Sequence, residues 1–434
     1  MDYRFFGLEK HQDRGMVRWC RSQVGKWVER IAAAGGFSKP LAQLAISLFE
    51  EPDLRQYLKE IRVRIQRPRR PEFSRFSDMD DVATQLENGL RSGRFGGDGV
   101  AVIREIVETS LLFMGPEPEP GDPDQIRGTL EELRDLFRLT AAEAEILLFF
   151  VVVDLHEPLR DYLGNRALPV LARTLSAAIP CELADAHRIL HEDGRLRMLG
   201  LLGIREPRFA PFFEPGPGIL DHLLGFSGTR FLDRLCKKDD GPVLPMDCFS
   251  LTLDERAILD GLVRSGQPFH LLIHGRAGTG KTELARTLVR QSGRGAWFVR
   301  QGKKGDREER KLGVEAALAV SAEDRGIVVV DESESLISSP FGPFMGNTGE
   351  GKAWVNDFLD RRAGRMIWIV NDLDWVPEST RRRFTYSLPF RRFTRGQRAN
   401  AWTQLAAGHP QEQALSPELL RDLTERYEVN AAGI

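Results

Sequence analysis

The feature that most restricts this chain is an eight-residue stretch, Gly275-Arg276-Ala277-Gly278-Thr279-Gly280-Lys281-Thr282. It follows the apolar run Phe269–His274 and opens a segment of helical character, Thr282–Arg290. A GxxxxGK[ST] pattern set between a strand and a helix constrains both backbone and chemistry. Glycines at 275, 278 and 280 allow main-chain N–H groups to converge on one point, and the helix that follows adds the positive end of its dipole. That cradle suits a chain of phosphates. Lys281 is then placed to reach the β- and γ-phosphates, and the Thr282 hydroxyl to sit on Mg2+.

Three further signals follow in order. Gly326-Ile-Val-Val-Val-Asp331-Glu332 is a buried strand that delivers two acids at its carboxyl end, where open α/β sheets bind their ligands. Asp331 is suited to holding Mg2+ and Glu332 to activating water as a general base. Met366-Ile-Trp-Ile-Val-Asn371 is a second buried strand ending in an amide that can position water or contact a γ-phosphate. Arg381-Arg382-Arg383-Phe384 precedes a short strand at Tyr386–Leu388; three adjacent arginines cannot all face one way, so at least one is available as a finger for transition-state charge. His187 and His191 stand four apart on a predicted helix, but no glutamate of an HExxH pattern lies between them, and they read as a helix face.

Strand-like and helix-like segments alternate from about residue 245, which predicts a parallel sheet covered by helices: Phe269–His274, Ala296–Val299, Gly326–Val330, Met366–Val370 and Tyr386–Leu388 are the five strands. The rest of the chain reads as mainly α. Residues 1–113 carry helical spacing at Val24, Trp27, Val28 and Ile31, and again at Leu41, Leu44, Ala45 and Leu48. Residues 127–235 show a capping box at Thr140-Ala-Ala-Glu143 ahead of the apolar stretch Ile146–Val153. In the same block Arg195–Ile204 and Ile219–Leu224 read as short strands or turns, so this block is either winged-helix-like or a helical bundle. The Pro-rich stretch Gly115–Asp124 is a linker, and Gly241–Pro245 marks a second boundary.

A net charge of −2 makes no global case for nucleic acid or an anionic membrane. Locally, residues 1–76 hold sixteen Lys and Arg against nine Asp and Glu, with Arg62, Arg64, Arg67, Arg69, Arg70 and Arg75 crowded together. Such a run is a solvated connector or a docking arm for phosphate or an acidic partner. Cys20, Cys181, Cys236 and Cys248 form no CxxC pair, which fits a reducing compartment. No signal-peptide pattern opens the chain, and the longest apolar run has eight residues where a spanning helix needs about 20. The expected location is the cytoplasm.

With those residues in view, the segment from about 245 to 434 resembles the AAA+ superfamily. The matching stretches are LLIHGRAGTGKTELARTLV, IVVVDESESLI and MIWIVNDLDWVPESTRRRF, in that order. Residues 127–235 are similar to the winged-helix-like domain that precedes the ATPase in a group of bacterial AAA+ proteins. The resemblance implies a P-loop NTPase sandwich at 245–392, a partial helical lid at 393–434, and assembly into a ring, commonly a hexamer, with ATP at subunit interfaces. By motif position it implies that Gly275 through Thr282 bind phosphate, that Thr282 and Asp331 hold Mg2+, that Glu332 activates water, that Asn371 is the first sensor, and that Arg382 or Arg383 is the finger. Two departures stand out. Gln301-Gly-Lys-Lys-Gly-Asp306 replaces the aromatic triplet that grips polypeptide in threading members. Ile434 falls within the first half of the expected lid, before the second sensor arginine, which implies a shortened chain or a reduced lid.

Three functions fit this reading: an ATPase that remodels a protein partner, a nucleotide-dependent switch or scaffold with little turnover, and a DNA-acting ATPase that uses the winged-helix-like block. The last needs a basic recognition helix, and 127–235 offers only scattered arginines with acids among them.

Overall fold

The structure is a computed structural model describing residues 14–50, 53, 54, 56, 57, 83, 84, 86–88, 98–114, 122–164, 166–205, 212–224, 230–302, 307–337, 349–361, 363–391, 394–406 and 416–426. The chain divides into two compact units, Met1–Gly228 and Thr229–Ile434.

The first unit is helical, with one small antiparallel ribbon. Its helices are α1 (Arg14–Gly35), α2 (Lys39–Ile46), α3 (Gly99–Met114), α4 (Asp122–Phe137), α5 (Ala141–Leu155), α6 (Glu157–Leu163), α7 (Leu168–Ala178), α8 (Leu183–Leu190) and α9 (Arg195–Met198). The ribbon pairs β1 (Leu202–Arg205) with β2 (Phe212–Pro215), and α10 (Ile219–Leu223) follows. Val24, Trp27, Val28 and Ile31 are buried along α1, as their spacing requires. The Trp27 ring lies 4.7 Å from that of Phe149 in α5, and Arg30 Nη1 donates to the Ala178 carbonyl at the end of α7 at 3.0 Å. Parts of the blocks drawn at 1–113 and 127–235 therefore pack into one another within this unit, while residues 229–235 fall in the second.

The capping box forms: Thr140 Oγ1 accepts from Glu143 N at 3.2 Å, and Glu143 Oε2 accepts from Thr140 N at 2.8 Å. Ile146–Val153 is buried in α5, apart from the thin edge of Leu148 at 7% exposure. Among the described residues no helix is long and apolar enough to cross a membrane.

Three sequence expectations change here. The linker stops short of Asp124, because α4 begins at Asp122 with Pro123 in its first turn, where a missing N–H costs nothing. Within the segment Arg195–Ile204, read as strand or turn, Arg195–Met198 is a helical turn and only Leu202–Ile204 pairs as strand. Ile219–Leu224 is helical: Ile219 and Leu223, four apart, are both fully buried. The arginine-rich stretch from Arg62 to Arg75 and residues 115–121 lie outside the described residues.

The second unit contains α11 (Phe231–Leu235), β3 (Cys236–Asp239), α12 (Leu253–Arg264), β4 (Phe269–His274), α13 (Lys281–Gln291), β5 (Ala296–Val299), α14 (Arg307–Asp324), β6 (Ile327–Val330), α15 (Glu334–Ile337), α16 (Gly349–Asp360), β7 (Arg365–Val370), α17 (Glu378–Arg381), β8 (Tyr386–Pro389), α18 (Arg395–Ala406) and α19 (Pro417–Arg426). The sheet order is β3-β5-β6-β7-β4-β8. The five expected strands run parallel, and β3 adds a sixth, antiparallel to β5 at the edge. Its sequence, Cys-Lys-Lys-Asp, has no apolar alternation, and only an edge position tolerates such exposed charge.

The inner strands are continuous apolar runs because both faces are covered. On one face Leu271, Ile273, Val329 and Ile367 meet Leu259 and Val263 of α12 and Leu284 and Leu288 of α13. On the other, Leu272, Val328, Val330 and Trp368 meet Val314 and Ala317 of α14 and Val355, Phe358 and Leu359 of α16. This is a mixed α/β, three-layer arrangement. Strand β7 lies between β4 and β6, with His274 opposite Val370 and Val330 opposite Trp368. Gly275, Asn371 and Asp331 consequently leave the carboxyl edge from three adjacent strands.

Candidate nucleotide-phosphate site

The loop from Gly275 to Gly280 needs left-handed backbone at three places: Gly275, Gly278 and Gly280 have φ of 154°, 74° and 99°. Position 275 is closed to any other residue on steric grounds as well, since a Cβ there would lie 2.2 Å from the Phe390 carbonyl oxygen. Gly280 caps α13, whose first residue is Lys281. The tip, Arg276 to Gly278, is exposed, whereas Thr279 is buried and closes the turn by donating from Oγ1 to the Arg276 carbonyl at 2.9 Å.

Lys281 is 4% exposed. Its Nζ donates to the carbonyls of Gly275 at 2.6 Å and Arg276 at 2.9 Å, and to Asn371 Oδ1 at 2.9 Å. Burial draws its pKa below the ordinary lysine value, and the carboxylates of Asp331, Glu334 and Glu332 oppose that fall. The charge is thus held by neutral oxygens, with three acids nearby. Thr282 Oγ1 donates to Asp331 Oδ2 at 2.7 Å. These two hard oxygens, brought together from positions 49 apart in the chain, are the donor types Mg2+ takes. On that ground the residues fit the ion.

Glu332 has φ of 47°, uncommon outside glycine and costing on the order of 1 kcal/mol. Its Oε2 accepts from Gln301 Nε2 at 2.7 Å, and its N–H donates to Asp331 Oδ1 at 2.9 Å. Ser333, fully buried, ties the turn to β7 through N and Oγ, both donating to the Ile369 carbonyl. Asn371 N donates to Glu334 Oε1.

The three arginines face three ways. Arg381 donates from Nε to the Val376 carbonyl at 2.7 Å and from Nη2 to Leu373 at 2.8 Å. Arg383 Nε reaches both oxygens of Asp360, at 3.0 and 2.9 Å, and its Nη1 donates to the Ser379 carbonyl. Arg382 is exposed; its N–H donates to the Glu378 carbonyl at 3.2 Å, while its guanidinium has no hydrogen bond or ion pair among the described residues. A cleft of about 410 Å³ opens beside the loop, lined by His274, Gly275, Arg276, Thr279, Pro389, Phe390 and Arg391. His274 is held below its ordinary pKa by burial and by the nearby charges of Arg381 and Lys281.

Lys281, Thr282, Asp331 and Asn371, predicted from separate motifs, come together here. Arg383 does not join them, being occupied by Asp360. Sequence reasoning missed Gln301, which stands two residues past β5 and reaches Glu332. It also missed Arg310, buried in α14 against the same turn. Neither lies in a local pattern; only the sheet order brings them close. In the other unit the His187 and His191 rings are 6.5 Å apart. His191 lies with Glu192 and Asp193, their ligand atoms within 4.8 Å of one another, on a polar surface stretch.

No family model matches the sequence, and no curated protein matches it. Solved structures do. A chain of the E. coli MS115-1 HORMA:CdnC:Trip13 complex is 21% identical, with a TM-score of 0.34, covering 45% of this chain and 81% of that one. The FIGL-1 AAA domain in complex with ADP is 20% identical, with a TM-score of 0.33, covering 44% of this chain and 69% of that one. The FIGL-1 AAA domain alone gives 18% identity and a TM-score of 0.33, covering 44% and 68%. The functional reading rests on the site's own residues.

Proposed function

We propose that residues 229–434 are an ATPase module of the AAA+ type, which binds Mg-ATP and hydrolyses it to ADP and phosphate. One observation carries this reading: Lys281 Nζ lies 2.9 Å from Asn371 Oδ1 while Thr282 Oγ1 lies 2.7 Å from Asp331 Oδ2, so three distant motifs meet at one sheet edge. The P-loop amides and Lys281 bind the phosphate chain, Lys281 exchanging neutral carbonyl partners for charged oxygens. Thr282 and Asp331 hold Mg2+, which when bound neutralises phosphate charge. Glu332 takes a proton from the attacking water as that oxygen bonds to the γ-phosphorus and the bond to the bridging oxygen breaks. Asn371 orients the γ-phosphate, and Gln301 holds Glu332 in its resting position.

Arg382 is the better finger of the two arginines, because its guanidinium has no partner among the described residues. A finger acts on a neighbouring subunit's site, so a homo-oligomeric ring is part of the proposal, with hexamer as its expected form. The helices and ribbon of the first unit then serve as a recognition module, winged-helix-like over 127–235, and hydrolysis works on a protein partner. The cytoplasm suits such a protein. A second reading, a nucleotide-dependent switch with little turnover, draws on the Gln301–Glu332 bond, which occupies the base.

The test is paired measurement of nucleotide binding and phosphate release in the wild type, Lys281→Ala and Glu332→Gln. The ATPase reading expects binding lost in the first variant and retained without turnover in the second. Wild-type turnover no faster than that of Glu332→Gln would favour the switch. Protein-partner capture by Glu332→Gln, compared with wild type, tests remodelling.

A further inference from the structure

The turn that carries Asp331 and Glu332 is an awkward piece of backbone. Glu332 is left-handed without a glycine's freedom, and its carboxylate and that of Asp331 diverge, one toward Gln301 and the other toward Thr282. The main-chain carbonyls of Asp331 and Glu332 are gripped from α14. Arg310 is 5% exposed, and both of its terminal nitrogens are spent there. Nη2 donates to the Asp331 carbonyl at 2.5 Å, while Nη1 donates to the Glu332 carbonyl and to Ser335 Oγ, each at 2.7 Å. One turn earlier, Arg307 Nη2 donates to the Leu336 carbonyl.

A buried guanidinium bonded to carbonyls and a hydroxyl, rather than to a carboxylate, is costly unless its surroundings are negative. Here the acids of the phosphate site provide that field: Asp331, Glu332 and Glu334 all lie close enough to oppose the effect of its burial. The planar fork matters more than the charge. Two consecutive carbonyl oxygens and a hydroxyl are met by two nitrogens held in one plane, a geometry that an ammonium on a flexible stem does not reproduce.

We infer that Arg310 is a positioning residue for hydrolysis: by clamping the Asp331 and Glu332 carbonyls it fixes the peptide between them, and so sets where the Glu332 carboxylate stands relative to the phosphate site. Ser335 steadies the same guanidinium. This rests on the ATPase reading of the site, and it concerns the turnover step rather than nucleotide capture, because no bond of Arg310 goes to the loop from Gly275 to Thr282.

The test is steady-state turnover and nucleotide affinity of the full chain as wild type, Arg310→Lys and Ser335→Ala, with thermal melts as a check on folding. Arg310→Lys is expected to lower kcat by about 10- to 100-fold, the usual size of an outer-sphere loss. Its affinity for a fluorescent ADP should stay within about threefold of wild type, a split that marks an interaction used in turnover. Placed in a Glu332→Gln background, the same change should lower the residual rate no further, since both act through one carboxylate. Ser335→Ala should lower kcat by less, at unchanged affinity. If Arg310→Lys melts below the assay temperature, Ser335→Ala decides by the same split. A folded Arg310→Lys with wild-type kcat overturns the inference, and so does a parallel fall in kcat and affinity. A wild-type chain with no turnover sinks the ATPase reading and this inference together; intact wild-type turnover with an indifferent Arg310 sinks this one alone.

Discussion

The two units spend their buried polar groups differently. In the first, most close on their own neighbourhood: Ser47 Oγ donates to the Leu44 carbonyl, Ser110 Oγ to Val107 and Thr174 Oγ1 to Val170, Glu143 caps its own helix, and His156 Nδ1 accepts from Leu159 N. Arg21, which pairs with Glu50, and His222, near Glu132, are longer links. In the second unit Lys281 reaches 90 residues to Asn371, Thr282 reaches 49 to Asp331, and Arg310 about 21 to the same turn. Local closure satisfies a helix and asks nothing more. Long-range closure at one sheet edge costs chain entropy and desolvation that a purely structural core avoids, and such places are where chemistry is sought.

The comparison breaks most readily at Lys281. Lys281→Ala should raise the nucleotide dissociation constant by at least ~100-fold, the loss of two or more charge-assisted bonds, as read by calorimetry. Little change would mean that the long-range contacts of the second unit are as inert as the local ones of the first. Next, Arg382→Ala should cut kcat by about 10³-fold, while Arg383→Ala should leave kcat near wild type and lower the melting temperature by a few degrees at most. The reverse pattern would hand the finger to Arg383.

A smaller effect concerns pH, and each unit supplies one probe. Burial lowers the pKa of His156 to about 3 and that of His270 to about 4, with Arg21 adding to the first. Both rings are neutral in the folded chain and titrate near 6.5 once unfolded. Each therefore contributes stability that is whole above pH 6.5 and drains away as the pH falls, to about 3 for His156 and about 4 for His270. His156→Asn, which keeps an acceptor for Leu159 N, should flatten the acid side of the stability curve, measured by denaturant melts between pH 7 and pH 4. Smallest of all, Thr140→Ala should cost about 1 kcal/mol, the value of a helix cap, with no change in turnover. A turnover defect there would show that the first unit is wired to catalysis after all.

How legible this was in the sequence follows the same division. The loop from Gly275, Asp331 and Asn371 are readable because a buried parallel strand is a run of apolar letters and the candidate site residue is the letter after it. The four inner parallel strands follow from that rule, whereas the edge strand β8, Tyr-Ser-Leu-Pro with only Leu388 buried, does not. Strand β3 does not, since Cys236–Asp239 at an edge carries lysines where a core strand would carry valines. Arg310 and Gln301 stay hidden for another reason: an arginine in a helix and a glutamine after a strand are commonplace, and only the order of strands in space gives them partners. Ile219–Leu224 misled because six residues hold too few periods to tell a turn of helix from a strand.

The run Arg381-Arg382-Arg383 has a consequence for anyone editing this chain. One letter written three times carries three separate assignments, fixed by the end of α17: Arg381 is its last residue, Arg382 its cap, and Arg383 lies in the turn beyond. Deleting any one of them would leave two arginines in the text and yet turn the survivors toward the wrong neighbours. Interchangeability of identical letters ends where the backbone begins to twist.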